Sequence, residues 1–442
     1  MALFDSHHSG TSNVPEDVTG RPHRVPSDGL SFRKTFSAFK HRNFRLYFFG
    51  QLISFTGSWM TTTAQGWLVY QLTGSKALLG VVAAAASAPM LFFSTWGGWM
   101  ADRYPKRSVI VCTQIASMFL SLAMAALVFT KVVQPWHIIA LAVVGGITMA
   151  FDMPARQSFV IEIASREDLM NAISLNSSAF NCARIIGPSI AGFLMAHLGI
   201  ALCFLFDGLS FIPVIAGLLL MRLPKKETAL ASESGPLSQA LEGFRYVWGT
   251  RRVLTILALF AVVGVFGWSY SVLLPAFAQD ILHLGANGYG LLMGGSGIGA
   301  LIAALTVASA GHMLPTRTMA LGGVWVFSSA LVLFAFTRNL YVGIVLLGLV
   351  GFGLVLYFST SNTVLQSIVP DEMRGRVMGI WALIFGGMIP LGSLQAGLMA
   401  DWIGTPATMA IGALICALAA FATLHVIRRR EAQLAAAQNR AS

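Results

Sequence analysis

"GGWMADRYPKRS", Gly97 to Ser108, interrupts a chain that is otherwise poor in charge at this point. Apolar and small residues run up to it from Ala77 and away from it from Val109 to Thr130. Between them stand one acid and three bases, Asp102, Arg103, Lys106 and Arg107. A polar knot between two apolar runs of about 20 residues is the signature of a loop between two bilayer-spanning helices. The composition of the whole chain agrees. Of 442 residues, 56% are hydrophobic and 11% charged, and the mean hydropathy is +0.71. A soluble protein carries roughly 25% charged residues.

Twelve apolar runs fit the remaining sequence: 44–71, 77–100, 108–130, 135–153, 172–197 and 199–221, then 253–279, 286–310, 317–337, 340–363, 376–401 and 405–427. Lipid offers the backbone no hydrogen-bond partners, so each run is predicted to be a helix. The expected fold is an all-α polytopic membrane protein. The net charge of +11 does not point to nucleic acid, because the bases sit between apolar runs instead of forming a stripe. Among the loops of one side only Lys76, Lys131 and Arg338 appear, and Arg184 lies within a span; the other Lys and Arg fall on the opposite side. The base-rich side is the cytoplasmic one, which places both termini in the cytoplasm.

The tail 1–43 is polar, with Pro15, Pro22, Pro26 and the pair His7-His8. It shows no cleavable leader and is expected to be disordered and cytosolic. Its end, "RVPSDGLSFRKTFSAFKHR" (Arg24–Arg42), leads into span one along an anionic leaflet. A longer polar segment, 222–252, carries Lys225, Lys226 and Glu227 and the stretch "LSQALEGFRYVW", whose spacing suits a helix on the membrane surface. It divides the spans into 44–221 and 253–427 and leaves 428–442 as a second tail. The two halves echo each other. Gly80 lies 27 residues before Arg107, and Gly290 lies 27 before Arg317; Pro105 and Pro315 each stand two before their arginine. "AGFLMAHLG" (Ala191–Gly199) likewise matches "AGLMADWIG" (Ala396–Gly404). Weak internal symmetry of this kind marks two-bundle transporters.

Gly98 to Arg107 has the form G-x-x-x-D-R-x-x-K-R, which resembles the loop between spans two and three of the major facilitator superfamily. The resemblance runs from "RNFRLYFFGQLISFTGSWM" (Arg42–Met60) to span twelve. Within that superfamily the chain is similar to bacterial exporters of the enterobactin-exporter type, through "AFDMPARQSF" (Ala150–Phe159), "NCARIIGPSIAGF" (Asn181–Phe193) and "VPDEMRGRVMG" (Val369–Gly379). The resemblance implies two pseudo-symmetric bundles of six helices in a bacterial inner membrane. It also implies a conformational lock. Gly98 allows close helix approach, and Asp102 would sit at the positive N-terminus of span eleven, near Arg374 and Arg376. Arg103, Lys106 and Arg107 would pair with Asp102 or with lipid phosphates. In the second half, "ASAGHMLPTR" places Ala308 and His312 where Gly98 and Asp102 would fall, so an acidic lock is not expected there.

Arg184, deep in span five, is costly in lipid, about 2.5–3.5 kcal/mol on insertion scales, and requires a partner or a wet cavity. Helical rise puts it at a depth similar to that of Asp207 in span six. The expectation is an Arg184–Asp207 pair, either permanent or exchanging a proton. Asp152, before Pro154, Arg156 and Gln157, suits a helix-end acid paired with Arg156 better than a proton carrier. Proton-coupled drug exporters of the superfamily carry an arginine within span four, and "HIIALAVVGGITMAF" (His137–Phe151) has none. Gly187, Pro188, Ala191 and Gly192 resemble the G-P-x-x-x-G element of span five in superfamily antiporters, a bend with close packing. The family fold implies a central cavity between spans one, four, seven and ten. Those spans offer Ser58, Thr62, Gln65 and Trp67, then Thr148, then Trp268 and Tyr270, then Tyr357, Ser359 and Asn362. Aromatics with hydroxyls and amides but no central acid suit a bulky amphipathic solute, neutral or anionic.

Cys112, Cys182, Cys203 and Cys416 form no CxxC and are expected as buried small apolar residues. "GGSGIGA" (Gly294–Ala300) follows no strand, so it suits helix packing and not nucleotide binding. No cofactor or metal is expected, and no enzyme, since no span carries a metal cluster or a nucleophile–base pair. The expected function is secondary export of a siderophore- or drug-like solute by a monomer, coupled to protons. The alternatives are an importer of a metabolite or lysolipid, and a membrane sensor without transport.

Overall fold

A computed structural model describes residues 37–164, 168–222, 236–310 and 315–441. His7, His8, Lys225, Lys226, Glu227 and His312 lie outside the described residues. After a short 3-10 turn at Ser37–Lys40, the helices are α1 (Arg42–Thr73), α2 (Lys76–Arg103), α3 (Lys106–Phe129), α4 (Pro135–Ile163), α5 (Leu169–His197) and α6 (Ala201–Leu220). They continue with α7 (Pro236–Gly249), α8 (Arg251–Ile281), α9 (Ala286–Ala310), α10 (Thr316–Phe336), α11 (Leu340–Ile368), α12 (Asp371–Ile403) and α13 (Thr405–Ala441). No strand occurs among the described residues. The protein is an all-α polytopic membrane protein.

Eleven of the described helices, α2–α6 and α8–α13, are long and apolar enough to cross a bilayer. The exceptions are α7, only 14 residues long, and α1. The latter has 32 residues, but Gln51, Ser54, Ser58, Thr61, Thr62, Thr63 and Gln65 dilute its apolar run. Several of these face inward: Gln51, Ser54 and Thr63 are buried. Tyr341, Trp136 and Trp402 stand exposed near helix ends, where an aromatic belt meets the lipid–water boundary. The stretch 237–248 does form a helix, α7.

Helix ends depart from the hydropathy boundaries. α4 runs ten residues past the expected end at 153 and passes through Pro154. The i,i+4 ion pair of Asp152 and Arg156 staples the turn across that proline. α11 reaches Ile368 and α12 begins at Asp371, so both extend beyond 363 and 376. Hydropathy reports the lipid-exposed part of a helix, whereas its end is decided by where backbone groups find other partners.

In the first half α1 packs along α5 and α6, α2 along α4, and α3 along α4 and α6. In the second, α9 packs along α11, α10 along α11 and α13, and α8 contacts α12 and α13. The halves are joined most extensively by α2 with α12 and α5 with α9, and more lightly by α8 with α1 and α2. The two extensive pairs carry the repeats seen in sequence, now paired crosswise. A Cβ on Gly397 of α12 would lie 3.0 Å from Gly80 Cα of α2, and one on Gly192 of α5 would lie 2.9 Å from Gly290 Cα of α9. Both repeats close on a glycine with positive φ, Gly199 at 99° and Gly404 at 87°. That left-handed conformation admits glycine most easily and turns the chain into α6 and α13.

The halves meet at the base-poor end. At the basic end the gap widens: a Cβ on Gly98 of α2, or on Gly375 or Gly379 of α12, would meet nothing within 4 Å.

Candidate functional site: a central arginine and a clasp at the base-poor end

Arg184 sits where α5 is wedged between the two halves. A Cβ on Gly187 would lie 2.6 Å from Trp59 Cβ of α1, so α5 and α1 touch backbone to backbone just beyond the arginine. One turn earlier Phe180 packs edge-on to Trp59 (5.7 Å between centroids) and to Phe55 (5.4 Å). The guanidinium lies 5.7 Å from the Trp59 ring of the first half and 5.5 Å from the Trp268 ring of the second. Trp268 in turn stacks on Phe358 at 5.9 Å, and Phe358 meets Phe260 at 5.2 Å. A cation between two indoles is held by roughly 0.5–2 kcal/mol per ring. Trp268 follows directly on a π-helical turn, Val263–Gly267, a feature often found at functional sites.

The expected Arg184–Asp207 pair is not formed. Asp207 is buried on the opposite side of α1. Its Oδ2 accepts hydrogen bonds from Thr61 of α1 (2.9 Å) and from Ser121 of α3. Its Oδ1 has no hydrogen-bond partner and faces Gly57, where a Cβ would come within 2.7 Å of it. The helical rise matched the two residues in depth. It carried no information on azimuth, and α1 separates them. No carboxylate pairs with Arg184 among the described residues.

Asp152 lies inside α4, buried, and is fully engaged. It accepts from Thr113 (2.7 Å) and Gln114 (3.1 Å) of α3 and pairs with Arg156. Arg156 also donates to Gln51 of α1 (2.5 Å) and lies 5.3 Å from the Phe55 ring. This knot ties α1, α3 and α4 together.

At the basic end the residues of the opening stretch are not assembled with α12. Asp102 is exposed, and Arg103 lies over Trp99 of its own helix at 5.4 Å. Lys106 pairs with Glu162 of α4 (2.5 Å), and Arg107 donates to the carbonyls of Leu219 (2.7 Å) and Met221 (3.3 Å) at the end of α6. Arg374 pairs with Asp371 on its own helix (2.5 Å), and Arg376 with Glu242 of α7 (3.0 Å). Asp102 is therefore separate from Arg374 and Arg376 in this conformation.

A carboxylate does cap a helix of the other half, but at the opposite end and in the reverse direction. Asp401, near the end of α12, accepts from the backbone N–H of Lys76 (3.0 Å) and Ala77 (3.0 Å) and from the Ser75 hydroxyl (3.3 Å) at the start of α2. Ser75 itself accepts from Leu78 N–H (3.1 Å). The first turn of α2 thus has its otherwise orphaned donors satisfied, and a negative charge rests at its positive end. Beside it, Asp280 accepts from the Tyr70 hydroxyl (2.5 Å) and lies 3.7 Å from Lys76 Nζ. Trp67 stacks on Tyr289 across the same junction at 5.8 Å. Asp280 belongs to a second π-helical turn, Phe277–Ile281. Sequence reasoning missed Asp401, Asp280, Tyr70 and Trp59. Only the placement of Asp401 inside a repeat ending at a base-poor turn could have raised it.

The other cavity candidates scatter. Ser58, Gln65, Ser359 and Asn362 are partly exposed and Thr62 exposed. Thr62 and Thr148 bond back to carbonyls of their own helices. Tyr270 is buried and bonds Ser296 of α9 at 2.9 Å. Tyr357 faces away from the junction, into a cavity inside the second half. Of the cysteines, Cys203 and Cys416 are buried, Cys182 is partly exposed, and Cys112 is exposed, contrary to expectation; α3 turns it outward from the helix packing.

A family profile described as "Transmembrane secretion effector" matches residues 33–441. The staphyloferrin A transporter of Staphylococcus aureus (strain NCTC 8325 / PS 47) is 27% identical over 83% of this chain and 92% of its own. The multidrug efflux pump Tap of Mycolicibacterium fortuitum is 30% identical over 88% of this chain and 97% of its own. The enterobactin exporter EntS of Shigella boydii serotype 4 is 27% identical over 80% and 82%. Among solved structures, a bacterial homologue of the human lysosomal transporter Spinster superposes with a TM-score of 0.70 at 14% identity, covering 90% of this chain and 98% of that one.

Proposed function

The chain belongs to the transmembrane secretion effector family of major facilitator transporters, and from that premise we propose that it exports an amphipathic, anionic or neutral solute from the bacterial cytoplasm. It is a transporter of a small solute and not an enzyme. The export reading rests on Arg184. A permanent cation stands between Trp59 and Trp268, one from each half, with no carboxylate paired to it among the described residues. Such a box favours a solute that brings its own negative charge and a flat or apolar body. Its relatives named above include an enterobactin exporter and a multidrug efflux pump, so a siderophore- or drug-like cargo fits.

In this reading residues 44–221 and 253–427 are two six-helix bundles, α1 supplies the twelfth crossing, and 222–252 links them on the cytoplasmic side. Residues 1–43 and 428–442 are cytoplasmic tails. The positive-inside bias puts the basic end in the cytoplasm, and the conformation described here is then open inward and closed outward. Asp401 and Asp280 clasp the outer end. On rocking, that clasp opens, and Asp102 reaches the N-terminus of α12 near Arg374 and Arg376 to close the inner end. Gly98 gives the room for that approach, while Arg103, Lys106 and Arg107 steady the loop. Gly187, Pro188, Ala191 and Gly192 keep α5 sealed against α1 and α9 through the cycle. Protons are the coupling ion, carried by Asp207: a proton on its unbonded Oδ1 neutralises the charge without breaking either hydrogen bond to Oδ2. Asp152, committed to Arg156, serves structure.

The test is an untargeted comparison of compounds excreted by deletion strains complemented with the wild type or with Arg184→Gln. A compound that appears only with the wild-type copy supports export. Identical excretion by all strains, with uptake of a metabolite lost on deletion, makes the protein an importer instead.

A further inference from the structure

A second cavity lies within the second half, lined by α8, α10, α11 and α13, with a volume of about 540 Å³. That is within the range of small-molecule sites, roughly 300–1,000 Å³. No residue of α1–α6 lines it, so it is separate from the Arg184 box. Its two ends differ in chemistry. Arg252, at the start of α8, and Arg317, at the start of α10, stand at the end nearest the basic face. Ile256 and Leu321 continue the wall inward, and no acidic residue lines it among the described residues. Tyr357, eleven residues before the end of α11, marks the deep end, which a rise of about 1.5 Å per residue places roughly 16 Å inward. The Tyr357 hydroxyl is buried and has no hydrogen-bond partner.

We propose that this cavity binds a single-chain fatty carboxylate, with its headgroup on Arg252 and Arg317 and its chain running along Ile256 and Leu321 toward Tyr357. Guanidinium groups suit a carboxylate through paired N–H donors. A mostly apolar cleft about as deep as one leaflet of a bilayer core of about 30 Å disfavours highly polar ligands and favours an extended chain. The unpaired tyrosine hydroxyl adds a further feature: a chain with a hydroxyl at its far end supplies the missing partner, because leaving a buried donor unmade is costly. The site does not depend on the export reading, since it shares no helix face with the central arginine.

The experiment uses the full chain in nanodiscs of a zwitterionic lipid, with dodecanoate, 12-hydroxydodecanoate and dodecanol each competing against a dansyl-labelled undecanoate read by fluorescence. The expected result is saturable binding of dodecanoate, at least tenfold weaker binding of dodecanol, and tighter binding of 12-hydroxydodecanoate. The Arg252→Gln/Arg317→Gln variant should weaken dodecanoate at least tenfold, and Tyr357→Phe should erase the preference for the hydroxylated chain. Arg338→Gln, which removes an exposed cation of the same half outside the cavity, should leave dodecanoate binding unchanged. Leu321→Trp, which fills the shaft, should abolish binding; the exposed Arg252→Gln variant alone carries the test if that protein fails to fold. Absence of saturable binding to the wild type, equal binding of acid and alcohol, or loss of binding only in Arg338→Gln would overturn the proposal.

Discussion

Replacing Asp401 should open the base-poor end, and the size of the effect follows from its contacts. The carboxylate takes two backbone N–H groups and a hydroxyl at the start of α2. Loss of a helix-capping side chain typically costs about 1 kcal/mol, and removal of a favourable charge at a helix terminus costs about 0.3–1 kcal/mol at exposed sites. Asp401 is exposed, so about 1 kcal/mol is the appropriate total for Asp401→Ala. Asp280→Ala removes the Tyr70 bond and the longer contact with Lys76, about another 1 kcal/mol. Together they approach about 2 kcal/mol, roughly a 30-fold change in the ratio of two conformations. Spin labels at Leu72 of α1 and Trp402 of α12, both exposed and on opposite halves, read that ratio as a distance distribution in nanodiscs. The single variant should raise the share of the long distance about fivefold relative to the short one, and the double variant about 30-fold. A double variant whose ratio stays within about twofold of the parent would show that the clasp does not hold the ends together.

Other outcomes follow from the same contacts. Gly397→Leu pushes a side chain at Lys76 O and Gly80, and Gly192→Leu does the same at Gly290; each should lengthen the Leu72–Trp402 distance, checked with the same labels. Arg184→Gln should lower complementation of excretion at least tenfold, while Arg184→Lys, which keeps charge but loses the planar stacking group, should retain a fraction; equal excretion by all three refutes a solute-binding role. Asp207→Asn should leave the fold intact but abolish excretion driven by an imposed proton gradient in vesicles; unimpaired gradient-driven export means that the proton travels elsewhere. Asp102→Asn, free of contacts here, should leave thermal unfolding within about 0.5 kcal/mol of the parent yet shift the label ratio further toward the closed base-poor end.

Much of the architecture was legible from hydropathy, because a helix in lipid must be both apolar and fully hydrogen-bonded within itself. The sequence reads 44–71 as an apolar run, and α1 is a helix there, but its apolarity falls below that of the eleven helices apolar enough to cross a bilayer. The internal repeats proved informative in an unplanned way. Gly80, Gly290, Gly192 and Gly397 were matched by spacing within each half, and the fold brings them together across the halves. The site was less legible. Arg184 stood out because a cation in lipid is costly, but its neighbours could not be deduced. Trp59 is one of many aromatics in the sequence, and Asp401 looks like an ordinary helix-end acid.

The amino-acid order alone determined which segments enter the bilayer, which ends gather the bases, and how deep each polar residue sits, since all three depend on position along a single helix axis. The tertiary structure decided which polar residues meet. Arg184 and Asp207 share a depth but face opposite sides of α1, and Asp401 reaches α2 across more than 300 residues of chain because small glycines let the two halves close. Rotation about the helix axis and the choice of packing neighbour are set by contacts between remote segments, and helical periodicity within one segment carries neither.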